Sequence, residues 1–154
     1  MDPCFRRDDT MMSKKSPKNR ILVVDDDPNM IKLIQFYLLK ENYEITSCTK
    51  GKEALSILEK ENFEAILIDI LMPEMDGYTL LKKMVDELKI DTPIVVVTAH
   101  GTSDNLMQMI EDGAYDILQK PFTTNRLKLT LRNALLHKKM TEKCKELEAQ
   151  SSRD

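Results

Sequence analysis

Three carboxylates, a hydroxyl and an ammonium stand at comparable places in this chain. Asp25 and Asp26 follow the apolar run ILVV, Asp69 closes AILI, Thr98 closes PIVVV, and Lys120 follows YDILQ. If those runs are strands of one parallel sheet, all five groups reach one edge, which is where open α/β sheets bind ligands. Like charges about 4 Å apart repel by about 4 kcal/mol at an effective dielectric near 20, so the three carboxylates require a cation. Hard oxygen donors with no His or Cys beside them select Mg2+ over zinc, and Mg2+ fills its octahedron with waters and phosphate oxygens.

Within such a site Asp69, on the third and central strand, is the candidate nucleophile, a carboxylate able to form an acyl phosphate. Lys120, a flexible point charge, suits a phosphoryl oxygen or a carboxylate. Thr98 can donate its hydroxyl to a phosphoryl oxygen, and the small Ala99 after it leaves room. Mg2+ and Lys120 together would offset the charge that develops in an in-line phosphoryl transfer. Taken singly, each residue has a plainer reading. An Asp after a strand is commonly a helix cap, which suits Asp27; a Thr closing a strand is a β-former; a Lys before Pro is a loop residue. Their joint placement is what favours chemistry.

The elements that must position these groups follow from periodicity. Short β-branched runs alternate with amphipathic stretches, predicting strands near 20–24, 43–47, 65–69, 93–98 and 115–119. Helices are predicted near 28–41, 51–60, 77–88, 103–112 and 124–149. Five such units in alternation give an α/β fold, a doubly wound parallel sheet with helices on both faces. Ile31, Ile34, Leu38 and Leu39 form the core stripe of the first helix, and Ala54, Leu55 and Leu58 that of the second. Asp27-Pro28 and Asp76-Gly77 mark helix starts. The last helix is longer than a small sheet can cover. Leu127, Leu131, Ala134 and Leu135 pack on the sheet, while Leu136, Met140, Cys144 and Leu147 continue a thin apolar stripe suited to a partner helix.

Composition limits the class. A chain of 154 residues with 42% hydrophobic and 32% charged residues is one domain with extra length at its ends. No run approaches the roughly 20 apolar residues of a membrane span, and residues 1–19 lack the apolar segment of a signal peptide, so a cytoplasmic location is expected. Residues 1–19 read as a disordered arm or an added leader. Cys4, Cys48 and Cys144 lack metal or redox spacing and read as reduced thiols. A net charge of −3 gives no case for direct nucleic-acid binding.

The segments ILVVDDDP (21–28), LIDILMPEMDGYTLL (67–81), VVVTAHG (95–101) and QKPF (119–122) closely resemble the receiver domain of two-component response regulators. The resemblance covers residues 20–137 and implies the flavodoxin-like strand order 2-1-3-4-5. It implies that Asp69 accepts a phosphoryl group from a sensor histidine kinase in a Mg2+- or Mn2+-dependent reaction. Asp26, Asp69 and the backbone carbonyl of Leu71 would ligate the metal, with Asp25 linked through water. Thr98 and Lys120 would bind the phosphoryl group, and the Lys120-Pro121 bond would be cis. The protein would then be a signalling phosphoacceptor that takes up and hydrolyses its own phosphoryl group, rather than a metabolic enzyme.

Receivers couple the Thr to a residue near the end of the fifth strand that is usually aromatic; here it is Ile117. Tyr115, two residues earlier on the same side of the strand, is a poor substitute. Leu71 and His100 flank the path of attacking water in the family, and an apolar Leu71 with a bulky His100 predicts slow hydrolysis. Kinase choice would rest on the first-helix surface around Pro28, Asn29 and Ile31. The family expectation includes a homodimer through the fourth helix, fifth strand and last helix. Residues 138–154 are similar to the linker helix of receivers that precede an AAA+ ATPase in enhancer-binding transcription activators. No output domain lies within the chain, so a truncated regulator or a receiver acting alone is expected.

Three other readings compete. A haloacid-dehalogenase-type phosphatase or phosphotransferase would use Asp25 and Asp27 but needs an acidic pair on a strand after Lys120, where the pattern is all helical. A flavodoxin-like FMN binder would place Asp25 and Asp26 where phosphate is repelled. A receiver-like interaction domain that never takes phosphate is opposed by the complete set of Asp26, Asp69, Thr98 and Lys120.

Overall fold

Two of the five strands carry no polar residue before their last position, because they are covered on both faces. The computed structural model describes residues 19–70, 75, 77–99 and 103–153. Its strands are β1 (Asn19–Val24), β2 (Tyr43–Cys48), β3 (Ala65–Asp69), β4 (Ile94–Thr98) and β5 (Asp116–Gln119). They form one parallel sheet in the order β2-β1-β3-β4-β5, as the resemblance implied. Every residue of β3 and β4 is buried, whereas the edge strands β2 and β5 are only partly covered. Sandwiched parallel strands read as continuous apolar runs, and half-covered edges do not.

Helices α1 (Pro28–Tyr37), α2 (Gly51–Lys60), α3 (Gly77–Lys82), α4 (Ser103–Glu111) and α5 (Thr124–Arg153) connect and cover the sheet. Side chains alternate along each strand and divide the core in two. Leu22, Val24, Ile66, Ile68, Ile94 and Val96 face Ala54, Leu80, Leu81, Met84 and Met109. Ile21, Val23, Leu67, Val95, Val97 and Leu118 face Ile31 and Ile34 of α1 and Leu127, Leu131, Ala134 and Leu135 of α5. Asp27 caps α1, its carboxylate accepting from the N–H of Asn29 at 2.9 Å, with Pro28 in the first turn.

Four expectations are corrected. Helix α1 stops at Tyr37 rather than near 41; Leu38 leaves helical geometry at φ −102° and ψ 11°. Leu38 stays buried, but Leu39 is rotated outward and is 73% exposed, so it is not core. Helix α3 gives way to a π-helical turn over Lys83–Glu87, and α5 runs on to Arg153. Thirty residues at 1.5 Å each make α5 about 45 Å long.

Thr130 lies in α5 at 1% exposure, and its hydroxyl oxygen has no hydrogen-bond partner among the described residues. A buried polar atom without a partner costs about 1–3 kcal/mol, and Val keeps the β-branched shape without the hydroxyl. Thr130→Val is therefore expected to raise stability by about 1 kcal/mol, measured by urea unfolding. A loss would mean that the hydroxyl is satisfied in solution.

Candidate functional site

Register brings the five polar residues together. Val24 pairs with Ile68 and Asp69 with Val97, so the carboxyl ends of β1, β3 and β4 fall at one level. The ladder continues one residue past the strands: the N–H of Asp25 donates to Cys48 O at 3.1 Å, that of Ile70 to Val97 O at 3.1 Å, and that of Lys120 to Thr98 O at 2.8 Å. Lys120 is thereby seated beside Thr98. The Lys120–Pro121 peptide bond is cis, as expected.

Oxygen atoms of Asp25, Asp26 and Asp69 all lie within 4.8 Å of one another. The Lys120 ammonium lies 3.5 Å from Asp69 Oδ2 and 3.8 Å from Asp25 Oδ2. Asp25 and Asp69 are buried at 2% and 6% exposure, Thr98 is fully buried, and Asp26 faces solvent. This set fits a hard divalent cation: oxygen donors only, two of them shielded, with one open side at Asp26 for waters. Ala99 is exposed beside them, which leaves the approach open.

Burial pushes the Asp25 carboxyl up to about 6; the charge of Asp69 and its hydrogen bond act in the same sense, while the N–H of Asp27 and the Lys120 ammonium oppose them. The Asp27 N–H donates to Asp25 Oδ1 at 2.9 Å, fixing the side chain over the turn after β1.

The return of the chain after β3 is equally constrained. The N–H of Gly77 donates to Ile70 O at 2.9 Å. A Cβ at Gly77 would sit 2.6 Å from the Cα of Ile70 and closer still to the carbonyl oxygen of Asp69. Only glycine lets α3 start against the backbone of the candidate nucleophile. The segment DG therefore does more than open a helix: it closes the loop that begins at Asp69.

Leu71 and His100, the two residues tied to water access, lie outside the described residues, as does Asp76. Ile117 is half-buried against the core that includes Val96, Met109 and Ala114. It also lines a cavity of about 430 Å3 with Leu106, Gln119 and Phe122. Tyr115 differs from expectation. It packs against the opposite core, stacks on His137 with ring centroids 4.8 Å apart, and donates its hydroxyl to Asn133 O at 3.3 Å. Strand β5 begins only at Asp116, so the two-residue alternation does not reach Tyr115, and it is not on the side of Ile117. Among the polar pairs that escaped the sequence reading, the hydroxyl of Tyr78 donates to the carboxylate of Asp112, which is 34 residues away. Its only local trace is an acid at the C-terminal end of a predicted helix.

Comparison with known proteins places this arrangement. Residues 21–132 match the family model for the response regulator receiver domain. The two-component response regulator ARR11 of Arabidopsis thaliana is 36% identical over 125 residues, 80% of this chain and 23% of its own length. The transcriptional regulatory protein SrrA of Staphylococcus aureus is 35% identical over 117 residues, 76% of this chain and 48% of its own. The chain thus spans between about a quarter and a half of these curated relatives. Among solved structures, a CheY-like receiver domain protein from Methanospirillum hungatei JF-1 superposes with a TM-score of 0.75 at 28% identity, covering 80% of this chain and 98% of that one. NtrX from Brucella abortus, crystallised with ADP, gives 0.78 at 28% identity, covering 84% of this chain and 30% of that one. No helix among the described residues is long and apolar enough to cross a membrane.

The raised Asp25 value has a consequence for stability. The folded chain holds this proton more tightly than the unfolded one, whose carboxyl titrates near 3.8. Ionised Asp25 therefore costs stability above pH 6, by about 3 kcal/mol at most, and stops costing it as the pH falls from 6 to 4. In EDTA, Asp25→Asn is expected to unfold at higher urea than wild type at pH 8, by about 1–3 kcal/mol, with the gain vanishing by pH 4. An equal gain at both pH values would contradict the cause assigned.

Proposed function

This chain belongs to the response regulator receiver family, and from that premise we propose that it is a phosphorylation-controlled switch in which Asp69 accepts a phosphoryl group from the phosphohistidine of a sensor kinase. A bond from the Asp69 carboxylate to phosphorus forms as the bond from phosphorus to the histidine nitrogen breaks. The observation that supports this most is the Lys120 ammonium 3.5 Å from Asp69 in a cluster whose three carboxylates lie within 4.8 Å. An acceptor carboxylate needs an adjacent cation and a metal site, and no other arrangement among the described residues supplies both.

Asp26, Asp69 and the backbone carbonyl of Leu71 would hold Mg2+ directly, and Asp25 would reach it through water. Bound Mg2+, or Mn2+ in its place, offsets negative charge on the acceptor and the incoming phosphoryl oxygens. Asp25, buried and oriented by the Asp27 N–H, supports the metal side of the site. Lys120 neutralises Asp69 before transfer and shifts to a phosphoryl oxygen after it. Thr98 donates its hydroxyl to another phosphoryl oxygen, with Ala99 leaving space for it. Movement of Thr98 would carry the signal, with Ile117 packing in place of the usual aromatic ring. Small phosphodonors would phosphorylate the same carboxylate without a kinase, and the chain would hydrolyse its own acyl phosphate.

The receiver would occupy residues 20–137, preceded by an arm at 1–19 and followed by a linker extension at 138–154. Kinase docking would use the surface around Pro28 and Asn29, since Ile31, expected to share it, is buried against the sheet, and a homodimer would form through α4, β5 and α5. SrrA is a transcriptional regulatory protein, and by analogy the output here would be control of transcription from the cytoplasm. The phosphatase alternative loses ground, since the described chain after Lys120 adds only α5.

Incubation with acetyl phosphate and Mg2+ is expected to add the mass of one phosphoryl group to the wild type and nothing to Asp69→Asn. An adduct that survives in Asp69→Asn would reject Asp69 as acceptor. If Leu71 and His100 flank the path of attacking water as their counterparts in the family do, an apolar Leu71 would not orient water and a bulky His100 would hinder it, so the wild-type adduct should decay slowly and that of Leu71→Asn several-fold faster, followed by mass over time. Equal decay would remove Leu71 from the account.

A further inference from the structure

Tyr78 and Asp112 form a link between α3 and α4 that the phosphoacceptor chemistry does not use. Tyr78 directly follows Gly77, whose backbone packs on that of Asp69. Its hydroxyl donates to Asp112 Oδ2, and the Gln108 amide donates to Oδ1 of the same carboxylate at 3.2 Å. Asp112 sits at the C-terminal end of α4, where its N–H donates to Gln108 O at 2.9 Å. An acid there faces the negative end of the helix macrodipole, a place the helix itself disfavours. The Tyr78 hydroxyl first, and the Gln108 amide with it, compensate and hold the carboxyl below its usual range.

The neighbouring residue seats the same end of α4. Gly113 has φ +121°, and a Cβ there would meet Val85 Cγ2 at 2.7 Å, so the turn after α4 rests on the π-helical turn after α3. At its other end α4 begins at Ser103, one short segment past Thr98. The helix is thus hung between the phosphoryl reader and a residue anchored beside the phosphoryl acceptor. Ile117 packs on the core that includes Met109 of α4, so movement of Thr98 would pass into α4.

Resting on the reading of Asp69 as phosphoacceptor, we propose that the Tyr78–Asp112 hydrogen bond is a latch that holds α4 in its resting position and lowers the affinity of the Asp69 site for a phosphoryl group. The effect follows from linkage. When a phosphoryl group draws Thr98 and the start of α4 toward Asp69, a bond made only in the resting arrangement is given up, and its free energy is subtracted from binding. Tyr78 and Asp112 are then positioning residues, acting on the site through α3 and α4.

The test is calorimetric titration of the 154-residue chain with beryllofluoride in Mg2+, for wild type, Tyr78→Phe, Asp112→Ala and the double variant. Each single variant should bind with a dissociation constant about fivefold lower, and the double should bind no more tightly than either, because both substitutions remove one bond. Variants that melt at lower temperature yet bind beryllofluoride with wild-type or weaker affinity would show a purely structural pair and overturn the latch. No binding heat from wild type would overturn the phosphoacceptor reading and the latch together. Heat from wild type with unchanged variant affinities would overturn the latch alone.

Discussion

Repulsion between buried carboxylates is the constraint on which the rest of this structure depends. Asp25 and Asp69 are held at the end of adjacent strands with the Lys120 ammonium within 4 Å of both. Two buried like charges with one counter-charge are unfavourable unless the surroundings are rigid enough to hold them. That rigidity comes from β1, β3 and β4, sealed by apolar side chains on both faces. The sheet is the scaffold that holds the charge cluster, and a cluster of this composition suits a hard divalent cation.

The loops around the cluster follow from the same demand. Lys120 is brought to the acids by extension of the sheet ladder, through its N–H to Thr98 O, and not by a fortuitous loop. Gly77 returns the chain so closely to Asp69 that no side chain fits between them. The backbone of β3 is thereby in direct contact with the start of α3, and Tyr78 links α3 to the far end of α4. Site and scaffold share backbone atoms, so charge changes at Asp69 have a short mechanical path outward.

Much of this was legible in the sequence because the residues concerned are governed by local rules. Continuous apolar runs revealed the covered strands, and the polar residues ending those runs marked the edge at which the carboxylates and Lys120 converge. The Asp27-Pro28 pair announced α1, and the cap is present. What escaped depends on where an element stops or on contacts between distant segments. Leu39 fits a helical stripe, but α1 ends two residues before it. Tyr115 has the parity of Ile117, but parity has no meaning before β5 begins. The Tyr78–Asp112 pair joins α3 to the turn after α4 and has no spacing signature at all.

The central claim is that the strand-end cluster makes Asp69 a phosphoryl acceptor. An acyl phosphate is reduced by borohydride, converting the aspartyl residue to homoserine, so the modified position can be read directly by peptide mapping. After treatment with acetyl phosphate and Mg2+, the account predicts homoserine at position 69, and its absence when Mg2+ is chelated. Homoserine at position 25 or 26, or an unmodified position 69 in protein that has gained phosphoryl mass, would contradict it.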